Sequence, residues 1–341
     1  MTRYEFASDN TSALCPEARD ALVAVDDGFV ASYGDDPWTA EAADAMRTAF
    51  ETDCDVYFVF NGTAANSLAL ASLCQPYHSV ICHESAHIET DECGAPEFFS
   101  SGSKVLLAAG ADAQIDPAEV HRLVTRRTDI HYPKPKALSL TQATELGTVY
   151  RPDAIAALTE AARERDMRIH MDGARFANAV ASLGCAPGDI SWRAGVDVLC
   201  LGGTKNGIGT AEAVIFFDRS LSAEFAYRCK QAGQLASKMR YLSAPWARML
   251  GDGSWLRRAG HANAMAALLA DELVAAGATL VHPVEANAVF ADLDAAQHDA
   301  LVRGGWKVYD FIGGATRFMC SWQTTEEHIG ELADCLRHAG G

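Results

Sequence analysis

Short apolar runs alternate with amphipathic stretches over roughly the first two thirds of the chain. The runs are continuous rather than alternating, as expected of strands that are buried on both faces. Seven of them are typical of strands, at residues 56–60, 79–82, 104–108, 137–141, 167–171, 196–201 and 213–217. Helical patterns lie between several of these runs, at residues 63–74, 116–126 and 152–165. This alternation predicts an α/β domain with a mostly parallel seven-stranded sheet flanked by helices.

The pattern changes after residue 218. Helical periodicity extends over residues 219–240 and 243–276, with a break expected near Pro245. Short strand patterns follow at residues 279–282, 287–292, 306–311 and 316–320, and a last helical pattern covers residues 325–338. We therefore expect a smaller α+β domain at residues 245–341, a large domain at residues 21–244, and an N-terminal segment, residues 1–20, that contributes to the active site.

Composition and charge exclude several classes of protein. Hydrophobic residues make up 49% of the 341 residues and charged residues 21%, which is typical of a globular protein. The net charge of −17 argues against nucleic-acid and anionic membrane partners. There is no signal-peptide pattern, no run of 18 apolar residues and no CxxC pair among the ten cysteines. We expect a reduced, cytoplasmic protein.

Three polar motifs directly follow predicted strands, where open α/β sheets bind their ligands. Gly62 and Thr63 open a helix whose free N–H groups suit a phosphate. Asp172 ends a strand, and a carboxylate there can keep a pyridinium N–H protonated. Lys205 lies in the Gly-rich loop GGTKNG, and a lysine with a lowered pKa can form a Schiff base. Each motif alone is equally compatible with an ordinary turn or cap, but the set predicts a pyridoxal 5'-phosphate (PLP) site.

A fourth motif is open to two interpretations. Residues 83–87 spell HESAH, the HExxH pattern of zinc hydrolases, in which both histidines project from one face of a helix. Here the motif directly follows a strand-like run. We therefore expect His87 to lie over a flat cofactor, and we expect no metal.

With these residues in place, the sequence resembles the low-specificity L-threonine aldolases. These are PLP enzymes of the β-eliminating lyase group, with the aspartate-aminotransferase-like fold known as fold type I. The resemblance covers nearly the whole chain and is carried by FASDN (6–10), YGDDPWT (33–39), NGTAAN (61–66), HIETDECGAPEFF (87–99), TQATELGTVYRP (141–152), MDGARFANA (171–179), GGTKNG (202–207) and RFMCSW (317–322).

The resemblance implies a role for each matching residue. Lys205 would bind the cofactor covalently, Asp172 would keep its ring nitrogen protonated, and Arg175 would contact its phenolic oxygen. The remaining cofactor contacts would come from Gly62, Thr63, His87, Thr204 and, from a neighbouring subunit, Lys238. The substrate carboxylate would be held by Ser8 and Arg317, with Tyr33 and Asp91 in the substrate pocket.

The segment TQATELG, residues 141–147, departs from the family pattern. Many relatives carry a second active-site histidine there, and this chain has none. His131 is a candidate replacement, although it is equally readable as a loop or packing histidine. His87 is our candidate for the base that deprotonates the substrate hydroxyl, directly or through water.

The activity implied by the resemblance is retro-aldol cleavage of L-threonine, L-allo-threonine and related β-hydroxy-α-amino acids such as phenylserine to glycine and an aldehyde. The implied assembly is a homotetramer, built as a dimer of dimers with active sites at the dimer interface. The alternative is another PLP-dependent β-eliminating lyase that acts on amino acids.

Overall fold

A seven-stranded sheet forms the centre of the computed structural model, which describes residues 2–311 and 313–338. Its strands are β1 (Asp55–Val59), β2 (His78–His83), β3 (Lys104–Ala108), β4 (Lys134–Thr141), β5 (Arg168–Gly173), β6 (Val198–Leu201) and β7 (Glu212–Phe216). They are ordered β1-β7-β6-β5-β4-β2-β3. β7 is antiparallel to both of its neighbours, and the other pairs are parallel. The prediction of a mostly parallel sheet is confirmed.

Helices cover both faces of this sheet. They are α1 (Pro16–Ala24), α2 (Pro37–Phe50), α3 (Gly62–Leu73), α4 (His87–Thr90), α5 (Ala95–Phe99), α6 (Pro117–Thr125), α7 (Pro152–Arg163), α8 (Phe176–Leu183), α9 (Phe225–Gln231) and α10 (Arg240–Gly251). Successive residues of β2, Val80 and Ile81, belong to two different hydrophobic clusters, because neighbouring side chains of a strand point to opposite faces. Within the described part of the chain, no helix is both long and apolar enough to cross a bilayer.

The C-terminal part of the chain forms a second, smaller sheet. Its antiparallel strands are β8 (Thr279–Leu280), β9 (Ala288–Asp292), β10 (Tyr309–Asp310) and β11 (Thr316–Met319), in the order β10-β11-β9-β8. The accompanying helices are α11 (Ser254–Ala275), α12 (Ala295–Gly304) and α13 (Glu326–Arg337). α11 connects the two parts: its Asn263 Nδ2 donates to the Asn178 carbonyl at 2.9 Å, and its His261 bonds the Thr324 carbonyl at 2.7 Å.

The helix prediction for residues 219–276 is wrong in two places. Residues 219–240 contain a 3-10 turn at Arg219–Leu221 and the short α9, followed by irregular chain up to α10. Pro245 lies inside α10, where it removes one N–H donor without ending the helix. The break comes instead at Gly253, whose φ of 71° is left-handed. The domain boundaries at 20/21 and 244/245 stay predictions.

Candidate active site

Two adjoining cavities open at the carboxyl ends of β5 and β6. We call them cavity A, about 350 Å³, which Thr63, Thr204 and Glu212 line, and cavity B, about 170 Å³, which Ser8, Glu145 and Arg317 line. The residues that line both are Asn10, Gly62, Asn66, His87, Asp172, Ala174 and Lys205. Most of the predicted site residues therefore meet at the edge of the sheet where parallel strands end.

Lys205 lies in a 3-10 turn, Thr204–Asn206, just after β6. The loop before Lys205 packs closely against the backbone of Ala174. A Cβ at Gly202 would lie 2.3 Å from the Ala174 carbonyl oxygen, so position 202 requires glycine. The backbone N–H of Gly203 donates to Glu212 Oε2 at 2.6 Å. These contacts fix the turn that places Lys205 between the two cavities.

Burial and the nearby positive charge of Arg175 lower the pKa of Lys205, although Asp9, Asp172 and Glu212 act in the opposite direction. A lowered pKa increases the fraction of lysine that is a neutral, nucleophilic amine. The amine therefore suits covalent attachment of a carbonyl compound.

Asp172 belongs to a buried chain of polar side chains that ends at His87. The amide nitrogen Nδ2 of Asn66 donates to Asp172 Oδ2 and to Glu92 Oε1, each at 2.9 Å. Glu92 Oε1 also lies 2.9 Å from Nδ1 of His87. The hydrogen bond to Glu92 raises the pKa of His87, while burial raises the pKa of Glu92. Because both shifts favour the protonated forms, this pair retains a proton.

Arg175 is held by the N-terminal segment. Its Nε and Nη2 donate to Asp9 Oδ2 and Oδ1 at 2.7 and 2.9 Å, and Nδ2 of Asn287 donates to Asp9 Oδ2 at 3.0 Å. Although burial opposes ionisation, the charge of Arg175 lowers the pKa of Asp9. The pair therefore stays ionised and orients the guanidinium at the wall of cavity B.

Arg317 reaches cavity B from β11 of the smaller sheet. Its guanidinium carbon lies 5.4 Å from the ring centre of Phe311, and its Nε is buried without a hydrogen-bond partner among the described residues. Ser8 lines the same cavity. A buried hydrogen-bond donor without a partner is unfavourable, and a guanidinium pairs best with a carboxylate. The Nε of Arg317 therefore suits a carboxylate acceptor from a bound ligand.

The first turn of α3 faces cavity A through Gly62 and Thr63. Asn61 caps this helix, since its Oδ1 accepts a hydrogen bond from the Ala64 N–H at 2.9 Å. The free N–H groups of a capped first turn attract an anion, and the Thr63 and Thr204 side chains add hydroxyl donors at the same cavity.

Three of the predicted site residues lie outside both cavities. Tyr33 is 45% exposed, with the Lys230 ammonium 4.6 Å from its ring centre. Lys238 is exposed in the segment before α10. His131 is exposed at the amino end of β4, the opposite edge of the sheet from the cavities. The structure does not bring these three into the site of one chain, and their roles stay predictions.

The HExxH residues do not share a helix. His83 ends β2, and its ring bonds the Gly110 carbonyl at 3.1 Å and the Ser85 hydroxyl at 3.0 Å. His87 begins α4 and contacts Glu92. In residues 2–311 and 313–338, no group of three or more His, Cys, Asp or Glu side chains is placed to hold a metal ion.

Four polar residues in or beside the cavities were given no role in the PLP site from the sequence: Asn66, Glu92 and Glu145, which line cavity B, and Asp9, which holds Arg175. Asn66 carried a signal, because it is one of few polar residues in the otherwise apolar α3 and is 2% exposed. Glu145 also carried one, because it lies in the segment that lacks the expected histidine. For Asp9 and Glu92, the only signal in the sequence is that they lie in segments that resemble the threonine aldolases.

The residues of the two cavities fit PLP. Lys205 supplies the amine, Asp172 a buried carboxylate for a ring nitrogen, and the first turn of α3 an anion site for a phosphate. The unpartnered Nε of Arg317 lies in the adjoining cavity, where it suits the carboxylate of an amino acid.

Comparisons with known proteins show the family to which the chain belongs. The sequence profile of the beta-eliminating lyase family matches residues 5–296. A low-specificity L-threonine aldolase of Pseudomonas aeruginosa is 59% identical over 98% of this chain and 97% of its own. The solved threonine aldolase of Leishmania major is 27% identical, with a TM-score of 0.93 over 99% of this chain and all of its own.

The fold extends to more distant enzymes. An aspartate aminotransferase of Thermus thermophilus, solved with maleate, has a TM-score of 0.71 at 18% identity, over 96% of this chain and 89% of its own. That likeness shows the fold alone, which is the PLP fold type I expected from the sequence. The chain belongs to the beta-eliminating lyases, a family of PLP-dependent enzymes, and within them to the low-specificity L-threonine aldolases.

Proposed function

We propose that this enzyme cleaves L-threonine, L-allo-threonine and related β-hydroxy-α-amino acids, such as phenylserine, to glycine and an aldehyde. One observation carries the proposal: Lys205, Asp172 and the unpartnered guanidinium of Arg317 line one cavity. An amino acid bound there by its carboxylate has its α-carbon next to the cofactor site. The name of the Pseudomonas relative supports threonine as a substrate.

The cofactor would be held by residues from four places in the chain. Lys205 would bind its carbonyl carbon and Asp172 its ring nitrogen. Gly62, Thr63 and Thr204 would bind its phosphate, His87 would lie over the ring, and Arg175 would contact the phenolic oxygen. When bound, PLP accepts the electron pair that cleavage leaves on the α-carbon of the substrate.

The chain's own residues orient the substrate. Arg317 and Ser8 hold its carboxylate, and Asp91 and His87 are left to contact its β-substituent at the other walls of cavity B. Fixing the carboxylate fixes the direction of the Cα–Cβ bond, and such orientation is a large part of catalysis in many enzymes.

For the assembly, we propose a cytoplasmic homotetramer, built as a dimer of dimers with active sites at the dimer interface. An exposed apolar segment supports an interface near Tyr33, because the neighbouring Phe29 is fully exposed and Val30 is 40% exposed. Lys238 would contact the phosphate in the site of the neighbouring subunit. Light scattering coupled to gel filtration tests the assembly, and a monomer would contradict it.

Product analysis tests the reaction. The purified PLP-loaded protein is incubated with L-threonine, L-allo-threonine and L-phenylserine, and we expect equal amounts of glycine and of acetaldehyde or benzaldehyde. The Lys205→Ala variant serves as the control without the covalent attachment. Formation of 2-oxobutyrate and ammonia from threonine, without glycine, would instead support an eliminating lyase.

A further inference from the structure

The cleavage proposed above requires a group that takes the proton of the substrate's β-hydroxyl, and this inference rests on that function. Glu145 lies on the wall of cavity B, in the loop that follows β4. Its Oε1 accepts a hydrogen bond from the backbone N–H of His87 at 2.8 Å. Its Oε2 accepts no hydrogen bond from another described residue, and the backbone N–H of Glu145 itself is the one further donor beside the carboxylate. Glu145 is therefore an anchored carboxylate with one free oxygen in the substrate cavity.

Among the described residues, no lysine or arginine forms an ion pair with Glu145, and two nitrogens of Arg175 are hydrogen-bonded to Asp9 instead. The positive charge of His87 lowers the pKa of Glu145, but two larger effects oppose it. Burial and the negative charge of Asp172 raise the pKa of Glu145 to about 7. Titratable and charged groups from several elements surround Glu145. They come from α4 and the segment after it, the loops after β4 and β5, the Lys205 turn and β11. They are His87, Asp91, Glu92, Tyr150, Asp172, Arg175, Lys205 and Arg317.

His87 is less suited to accept this proton. Its Nδ1 is hydrogen-bonded to Glu92, which raises the pKa of the ring and so favours the protonated form. Its Nε2 lies 3.5 Å from Asp91 Oδ2, at the same cavity. A protonated ring donates a hydrogen bond to the substrate oxygen and does not take the proton from it.

We propose that Glu145 is the catalytic base of the cleavage, and that its free Oε2 takes the β-hydroxyl proton. As the proton leaves, the O–H electron pair becomes the second carbon–oxygen bond of the aldehyde. The Cα–Cβ bond breaks and its electron pair stays with Cα. A proton from solvent then completes glycine at Cα, and Glu145 returns its own proton to solvent.

The test uses the PLP-loaded Glu145→Gln variant, whose amide retains an oxygen for the His87 N–H but cannot act as a base. We expect kcat/KM for L-threonine to fall by roughly 10²- to 10⁴-fold, the usual contribution of a positioned base. Two further readouts should not change: the PLP affinity from absorbance titration, and the exchange of the glycine α-protons in D2O followed by proton NMR. Glycine has no β-hydroxyl, so its exchange does not need this base.

The pH profile gives an independent readout. In the wild type, kcat/KM should fall as the pH drops below about 7, because Glu145 becomes protonated. The Glu145→Gln variant should lack this acidic limb. The matched control is Glu160→Gln, on the exposed face of α7, which should keep the wild-type rate and profile.

Two outcomes would overturn the inference. One is a Glu145→Gln variant with wild-type cleavage and an intact acidic limb. The other is a variant that loses glycine exchange or PLP affinity together with cleavage, which would assign Glu145 to holding His87 or the cofactor. The proposed function fails in a different way, through a wild-type enzyme that exchanges glycine protons but makes no glycine from β-hydroxy amino acids.

Discussion

In our proposal, the orientation of the substrate depends on the guanidinium of Arg317. Arg317→Lys keeps the charge but loses the planar pair of donors, including the unpartnered Nε. A charged hydrogen bond contributes about 1.5–3 kcal/mol, so we expect KM for L-threonine to rise by roughly 10- to 100-fold. We also expect kcat to fall, because the Cα–Cβ bond is less well aligned.

Steady-state kinetics with L-threonine measures this effect. The matched control is Arg303→Lys, at an exposed position of α12, which should behave as the wild type. A KM for Arg317→Lys equal to that of the control would remove Arg317 from the substrate site.

Asn66 bridges two buried carboxylates, because its Nδ2 donates to both Asp172 and Glu92. In Asn66→Ala, Asp172 and Glu92 lose the donor that they share, and an unsatisfied buried group costs about 1–3 kcal/mol. We expect the free energy of unfolding to fall by about that amount and PLP to bind more weakly. Urea unfolding and absorbance titration measure the two effects.

The control for Asn66 lies on the same helix. The Ser72 hydroxyl bonds the Leu68 carbonyl within α3, away from the cavities, so Ser72→Ala should change neither quantity appreciably. An Asn66→Ala variant as stable as Ser72→Ala would show that the carboxylates do not need this amide.

At the scale of single residues, the sequence was sufficient for the side chains that carry a motif. Lys205, Asp172 and Gly62 directly follow apolar runs, so the rule for parallel sheets placed them at one edge. The same rule places Glu145 at this edge, after β4, but it does not show that the carboxylate of Glu145 or of Glu92 takes part in the site. Their importance depends on which carboxylates are buried beside His87, and burial of an acidic residue is set by tertiary packing.

In our proposal, the first turn of α3 holds the phosphate of the cofactor. Asn61→Ala removes its N-cap, and loss of a cap costs about 0.5–2 kcal/mol of stability. Because the same turn faces cavity A, we also expect weaker PLP binding. Urea unfolding and absorbance titration measure the two changes.

A second capped helix provides the control for α3. Asp116→Ala removes the cap of α6, whose residues line neither cavity A nor cavity B. It should lower stability to a similar extent and leave the PLP affinity unchanged. Equal PLP affinities in the two variants would show that the α3 terminus does not hold the phosphate.

At the scale of elements, the buried strands were the most predictable part of the fold. Their continuous apolar runs match all seven strands of the large sheet within a few residues. The region from residue 219 to 276 was harder, because Pro245 suggested a break that α10 tolerates. Propensity predicts a local tendency, and packing against α1 and α2 decides the outcome.

For the whole molecule, Asp9 links three distant parts of the chain, because its carboxylate accepts hydrogen bonds from Arg175 and Asn287. Asp9→Asn removes the ion-pair partner of the buried Arg175, and breaking a buried pair costs roughly 3–5 kcal/mol. We expect a loss of stability of that size at pH 7. Asp20→Asn, at an exposed position of α1, is the matched control.

The pH dependence of stability checks the same contact. Since Arg175 lowers the pKa of Asp9, the pair stabilises the wild type above the ordinary pKa of an aspartate and is lost as the pH falls through the lower value in the folded state. The difference between wild type and Asp9→Asn in urea unfolding should therefore shrink towards acidic pH. A difference that is constant with pH would contradict this assignment.

The Asp9 contact can be completed only late in the synthesis of the chain. Asp9 precedes Arg175 by 166 residues and Asn287 by 278 residues. At about 5–20 residues per second, the ribosome needs roughly 14 to 56 s to add the last of these partners. The large sheet can begin to fold in that interval, whereas a nascent chain that ends before Asn287 has an incomplete site. A chain whose translation stops before Asn287 therefore lacks both this contact and the Arg317 guanidinium of cavity B.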